Sequence, residues 1–223
     1  MLSEILYRVS RIMIRGYARL MLKMDIHWRS SLPTGAVLFA ANHPSTTDPI
    51  LIHLISKKPM SVMINSKVFT IPFLGAYMRK MGQICVSPGQ GEKVLEQARQ
   101  TLIAGRSVTI FPEGLISPAG GGFNPPRSGV ARLALSSGVP VIPIGIYLSD
   151  KGCRRIPATF EGEPDLITWC LHGPYAITIG KPMHFLGDAT DKDFVKKVSE
   201  NIMQSIRSLA LDSKRRLCPI EME

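Results

Sequence analysis

An α/β fold is predicted for this chain: a mostly parallel sheet flanked by helices, preceded by an amphipathic helical segment at the N-terminus. Three observations carry that prediction. Short apolar runs alternate with stretches of helical spacing along most of the 223 residues. Two of the runs, Ala36–Ala41 and Val108–Phe111, read as buried strands. Each of these two delivers an ionisable residue at its exit, where ligands sit in open α/β sheets.

The elements follow in chain order. Along residues 1–25 the charges fall at positions 4, 8, 11, 15, 19 and 23, on one helical stripe, with Leu, Ile and Met covering much of the remainder. Residues 1–30 hold six basic residues against two acidic ones. Such a helix suits the interface of an anionic bilayer, and it also suits packing on its own domain. No run reaches the roughly 18–20 apolar residues of a membrane span. Arginines break up what would be a signal peptide's apolar segment. Residues 1–30 are therefore assigned to an N-terminal amphipathic segment and 31–223 to one α/β domain.

Within that domain, Arg29–Gly35 is a connector. Strands are expected at Ala36–Ala41, Met60–Asn65, Gln83–Val86, Ser107–Phe111, Val141–Tyr147 and Ala176–Ile179. Helices are expected at Pro49–Ser56, Pro72–Met81, Glu92–Ala104 and Ser128–Ser137, with a closing helix at Asp191–Leu211. In that closing stretch Phe194, Val195, Val198, Ile202, Ile206 and Leu209 keep to one side. Ser117–Arg127 reads as a Gly- and Pro-rich loop and Ser149–Pro174 as an irregular insertion.

Net charge is +10, a balance that suits nucleic acid or an anionic lipid surface. Nucleic acid ranks last as a partner. Aromatics make up only 7% of the chain and are not interleaved with the basic residues. The four cysteines have no metal-ligand spacing, so reduced thiols facing the cytosol are expected, with no metal and no cofactor.

The chemistry gathers at Asn42-His43-Pro44-Ser45-Thr46-Thr47-Asp48-Pro49. A histidine with an aspartate five positions on, opening a helix after a strand, is equipped to remove a proton from a hydroxyl. The carboxylate fixes the imidazole tautomer, and the other ring nitrogen takes the proton. Asp48 could equally serve as a helix cap. No Gly-x-Ser-x-Gly elbow and no site-like cysteine is present, so direct attack by a bound alcohol is the simpler scheme. No Walker-type phosphate loop occurs either.

Three blocks together, Asn42-His43-x4-Asp48, Phe111-Pro112-Glu113-Gly114 and Val139–Ile144, resemble the glycerolipid acyltransferases of the lysophosphatidate acyltransferase (PlsC-like) type over roughly residues 30–185. The resemblance implies transfer of a fatty acyl group from acyl-CoA or acyl carrier protein to a glycerolipid hydroxyl. His43 would be the general base and Asp48 its orienting partner. Asn42, Glu113 and Gly114 would lie at the acceptor site. The implied location is peripheral or monotopic, on the cytoplasmic face of the membrane, with a lysolipid acceptor as substrate.

Two departures from the family pattern bear on the acceptor. Pro88 stands where the family often has an arginine, and Leu115-Ile116-Ser117 replaces the usual Thr-Arg-Ser. Both arginines associated with the acceptor phosphate are thus missing. Arg127 is the favoured substitute, because it ends the loop that follows Gly114; Arg132, Lys67 and Arg79 are the others. Glu113 would repel phosphate, which places it against acceptor hydroxyls or a backbone donor. An acceptor that is a different polar lipid, an aminolipid or glycolipid, is the alternative. So is a non-catalytic lipid-binding relative, against which the intact His43 and Asp48 argue.

Overall fold

The computed structural model describes residues 2–118, 121–160 and 163–218. Among the described residues, nine strands occur in chain order: β1 (Asp25–Trp28), β2 (Leu38–Ala41), β3 (Ser61–Asn65), β4 (Ile84–Val86), β5 (Val108–Ile110), β6 (Val141–Leu148), β7 (Cys153–Phe160), β8 (Glu163–Cys170) and β9 (Tyr175–Ile179). Seven form one sheet in the order β1-β9-β6-β2-β5-β3-β4. β6, β2, β5, β3 and β4 are mutually parallel, while β9 runs antiparallel to β6 and parallel to β1. β2 is the central strand, and all four of its residues are buried.

Alternation along the β2 region sorts the core into two layers. Val37, Phe39 and Ala41 enter one apolar cluster, whereas Ala36, Leu38 and Ala40 enter the other. The first cluster is covered by α1 (Leu2–Leu20), α2 (Asp48–Leu51) with a 3-10 turn over Ile52–Ile55, α3 (Ser66–Thr70) and α4 (Leu74–Lys80). The second is covered by α5 (Gly91–Ile103), α6 (Gly129–Ser137) and α7 (Lys192–Leu217). The result is helix–sheet–helix layering.

α7 starts at a true cap, with Asp191 Oδ1 accepting the N–H groups of Asp193 and Phe194 at 3.0 Å. It then lies so close to β6 that a Cβ on Gly145 would meet the Ala210 nitrogen at 2.0 Å. Only glycine fits there. Ile202 and Ile206 of α7 are fully buried, and truncating either to alanine would cost about 2–5 kcal/mol.

Beyond one- or two-residue shifts at element ends, and the helix expected at Pro49–Ser56, which is α2 followed by the 3-10 turn, the expected elements differ from the observed ones in four places. β1 is a strand where no strand was expected: α1 stops at Leu20, and Asp25–Trp28 pair with Ala176–Ile179 at the sheet edge. The single helix expected at Pro72–Met81 is α4, preceded by the separate short α3. The Ser149–Pro174 segment, expected to be irregular, contains the antiparallel β7–β8 pair. Pro157 and Pro164 hid it, since proline demotes a strand in sequence, yet it is tolerated where one edge needs no ladder bond. Finally, α7 runs to Leu217, six residues past the expected end at Leu211; Lys214, Arg215 and Arg216 suit its negative C-terminal end.

His53, in the 3-10 turn, packs edge-on against Tyr7 of α1 at 6.1 Å between ring centroids, and its Nδ1 is buried without a partner. Burial, and then the charges of Arg106 and Arg11, lower its pKa from 6.5 to about 4. The unfolded chain therefore binds this proton at higher pH than the folded one. The stability His53 preserves is fully present above about pH 6.5 and is lost as pH falls toward 4. Denaturant titrations should show unfolding free energy declining through that window and a flatter decline in His53→Phe. An unchanged slope would assign the effect to another group.

Candidate active site

The His43–Asp48 turn leaves β2 at the carboxyl edge of the sheet and is pinned at each residue in succession. Asn42 continues the β2–β6 ladder with its side chain: its Nδ2 donates to the Ile146 carbonyl at 2.9 Å, and its Oδ1 accepts the Ile146 N–H at 2.7 Å. The His43 N–H is shared between Glu113 Oε1 and Ser117 Oγ, both at 3.2 Å, and the Ser117 N–H returns to the His43 carbonyl at 2.7 Å. Thr46 bonds β8 twice, donating its N–H to the Thr168 carbonyl and accepting the Thr168 N–H on Oγ1. A loop held in this way keeps one conformation.

Asp48 is completely buried. Its carboxylate takes four donors: His43 Nδ1 at 2.9 Å and Ser45 N–H at 2.7 Å on Oδ2, Ser45 Oγ at 2.8 Å and Tyr175 OH at 2.7 Å on Oδ1. These bonds offset the desolvation of a buried charge. The capping alternative is removed by this geometry. The N-cap of α2 is Thr47, without a side-chain bond, and the Asp48 carboxylate turns back onto the loop instead of onto the following helix. Burial first, then the charge of Asp48, hold the Tyr175 phenol protonated well above its usual range, so it acts as a donor.

With the Asp48 carboxylate as acceptor, His43 Nδ1 is the donor of this bond, and the tautomer it selects for the neutral imidazole has its lone pair on Nε2. The imidazole stacks on Phe111, with 4.2 Å between centroids and 21° between planes, and its side chain keeps 17% of its surface accessible. An imidazole oriented in this way, with its tautomer fixed, is equipped to accept a proton from a hydroxyl on Nε2.

Of the expected site residues, the structure brings His43, Asp48, Asn42, Glu113 and Gly114 together, with Arg127 over Gly114. Gly114 has φ +66, and a Cβ there would lie 2.6 Å from Arg127 Nε. The Arg127 N–H also bonds the Pro112 carbonyl at 2.8 Å. Asn42 does a different job from the acceptor contact expected of it, and Glu113 takes up one of its two expected placements. Asn42 is spent on β6. Glu113 is 1% exposed and serves inside the chain, Oε1 accepting Ser117 Oγ at 2.6 Å and Oε2 the Asn124 N–H at 2.7 Å. Of its two expected placements, acceptor hydroxyls or a backbone donor, the backbone donors are the ones observed. Arg79 bonds the Phe69 carbonyl.

Sequence reading missed Tyr175 and Ser45 as partners of Asp48. Ser45 carried a local signal, being a hydroxyl three residues before Asp48. Tyr175 carried none at 127 positions away. A cavity of about 540 Å³ opens beside the loop, lined by Asn42, Pro44, Phe123, Ile146 and Leu211, with Arg155 and Lys214 adding positive charge. The chain neighbours of His43 line it rather than the imidazole, which faces Phe111. Among the described residues, no group of three or more His, Cys, Asp or Glu side chains is placed to hold a metal ion.

A family model described as Acyltransferase matches residues 23–147. The chain is 28% identical over 149 residues to a lyso-ornithine lipid O-acyltransferase of Pseudomonas aeruginosa, covering 66% of this chain and 57% of that protein. It is 27% identical over 177 residues to a 1-acyl-sn-glycerol-3-phosphate acyltransferase of the same organism, covering 75% and 62%. With another 1-acyl-sn-glycerol-3-phosphate acyltransferase, from Chlamydomonas reinhardtii, identity is 32% over 202 residues, covering 86% and 58%. The chain thus spans little more than half the length of these relatives. The crystal structure of the 1-acyl-sn-glycerophosphate acyltransferase PlsC from Thermotoga maritima superposes with a TM-score of 0.68 at 18% identity, covering 95% of this chain and 81% of that one, a likeness of fold.

Proposed function

Because this chain belongs to the Acyltransferase family, we propose that it is an O-acyltransferase moving a fatty acyl group from acyl-CoA or acyl carrier protein to a hydroxyl of a lysophosphatidate-like lysolipid. The observation that carries the reading is the buried Asp48 carboxylate holding His43 by Nδ1 at 2.9 Å, with Ser45 and Tyr175 holding Asp48 in turn.

In the proposed reaction, His43 Nε2 takes the acceptor's hydroxyl proton as the oxygen attacks the thioester carbonyl. The tetrahedral intermediate then collapses with loss of the thiolate, which receives the proton from the imidazolium. The products are an ester and a free thiol. Asp48 steadies the imidazolium while it exists, and Tyr175 and Ser45 keep Asp48 from turning away.

Membrane association belongs to the same proposal. No helix among the described residues is long and apolar enough to cross a membrane. α1 instead presents Ile12 and Met13, each 70% exposed, and Leu20 at 79%, flanked by exposed Arg8, Arg15 and Arg19. A peripheral position on the cytoplasmic face, with α1 in the headgroup layer, fits these side chains.

The acceptor's headgroup is the finer point. Arg127 arches over Gly114 and is exposed, and no carboxylate among the described residues pairs with it. It can therefore offer a guanidinium to a phosphate. A second reading, an aminolipid acceptor, is favoured by Pro88 and Ile116 in place of the two arginines, and by the relative named for lyso-ornithine lipid. Incubation with a panel of lysolipids and both thioester donors, read by mass spectrometry, tests the activity and separates the two. In the first reading, Arg127→Ala raises KM for a phosphorylated acceptor by about tenfold and spares an unphosphorylated one. Equal losses on both acceptors would count against a phosphate contact.

A further inference from the structure

We infer that the tip at Phe73 is a membrane wedge, which together with the outer stripe of α1 seats the His43 side of the sheet on an anionic bilayer. The inference rests on the membrane reading above and adds a second contact to it.

Phe73 is 91% exposed, with Pro72 and Leu74 exposed on either side. Its backbone is at φ 60 and ψ −45, and the Leu74 N–H donates to the Pro72 carbonyl at 2.6 Å, closing a γ-turn around it. This is a strained conformation for a bulky residue. Glycine would relax the turn, and a polar side chain would suit water better. Stability in water therefore gives no reason for a phenylalanine here, whereas insertion into hydrocarbon does.

The tip and α1 share a layer. Phe69 of α3 is buried in the cluster that also holds Ala18 and Leu22, and Met78 of α4, Ile14 and Tyr17 pack against it. Burial raises the pKa of Tyr7 on α1, and Tyr77, one turn beyond Phe73 on α4, is close enough to add a smaller rise. Phe111, which carries the His43 ring, belongs to the same cluster. A lipid leaving a bilayer held against this layer would emerge on the imidazole's side of the sheet.

The charge around the layer identifies the occupant. Arg8, Arg15, Arg19 and Lys23 of the α1 segment are exposed, as are Lys57 and Lys58, whose carbonyls accept bonds from Arg11 and Tyr7. Two copies of this face would set like charges against each other. Anionic headgroups complement it.

Partitioning onto phosphatidylglycerol and phosphatidylcholine vesicles tests the wedge without any acyl donor or acceptor, so failure of acyl transfer and failure of the wedge are read separately. Phe73→Gly should partition onto phosphatidylglycerol vesicles about tenfold more weakly, while its thermal midpoint in water rises by a few degrees as the turn relaxes. Phe73→Trp should partition as the parent does and gain fluorescence that brominated acyl chains quench, beyond that of Trp28 and Trp169 in the parent. Equal partitioning of Phe73→Gly and the parent overturns the inference. So does a lowered midpoint in Phe73→Gly, which would mean that the side chain packs at home. Self-association of the parent that disappears in Phe73→Gly, with vesicle binding unchanged, would assign the tip to a second copy instead.

Discussion

His43→Ala is expected to lower kcat/KM for acyl transfer by about two to four orders of magnitude, the range typical of a lost general base. The fold should survive. The imidazole is partly accessible, and what it gives up is one ring contact with Phe111 and one bond to Asp48. Asp48 keeps three other donors, from Ser45 and Tyr175, so its buried charge is not stranded. A loss of about 1 kcal/mol, or roughly 2–4 °C in thermal midpoint, is the expected scale for a domain of this size. Activity and stability thus separate by design of the test. The measurement is turnover of a lysolipid against a thioester donor, beside a thermal melt of the same preparation. Full turnover in a folded His43→Ala protein would falsify the base mechanism outright.

The parts of this machine that were legible in sequence are those with a local signature. β2 and β5 showed as apolar runs because strands buried on both faces need no polar alternation. The His43–Asp48 spacing showed because both residues lie in one turn, and the family's three blocks then fixed their order. Long-range partners left no trace. Tyr175 falls just before the strand expected at Ala176–Ile179, and only the antiparallel return of β9 beside β6 brings its phenol to Asp48. β1 was missed because its four residues are stabilised by pairing with β9 rather than by their own pattern. Phe73 falls inside the helix expected at Pro72–Met81; the strained turn that ejects it depends on Gly75 fitting against the Phe69 carbonyl, a tertiary contact.

Glu113 is a residue whose two expected placements the structure narrows to one, and its loss carries a large expected cost in stability. Pro-Glu-Gly at a strand exit reads as a carboxylate set against acceptor hydroxyls or against a backbone donor, and the second is what the structure shows. In the structure both its oxygens point inward, to the His43 N–H, the Ser117 hydroxyl and the Asn124 N–H, at 3.2, 2.6 and 2.7 Å. The His43 N–H retains a second acceptor in Ser117 Oγ, but the Asn124 N–H has no other acceptor among the described residues. Glu113→Ala should therefore cost about 2–3 kcal/mol, a fall of roughly 5–10 °C in thermal midpoint. Glu113→Gln keeps one acceptor oxygen but turns an amide N–H toward a donor, so about 1–2 kcal/mol is expected. The kinetic consequence follows from what the carboxylate holds. Freed from Glu113, the His43 backbone, Ser117 and Asn124 lose their common anchor, and misplacement of the base lowers kcat while the acceptor's KM changes little. A carboxylate that met the acceptor directly would give the opposite split: a raised KM, a preserved kcat and an unaltered melt. Measuring the Glu113→Gln variant at a temperature well below its midpoint decides between the clamp and the contact.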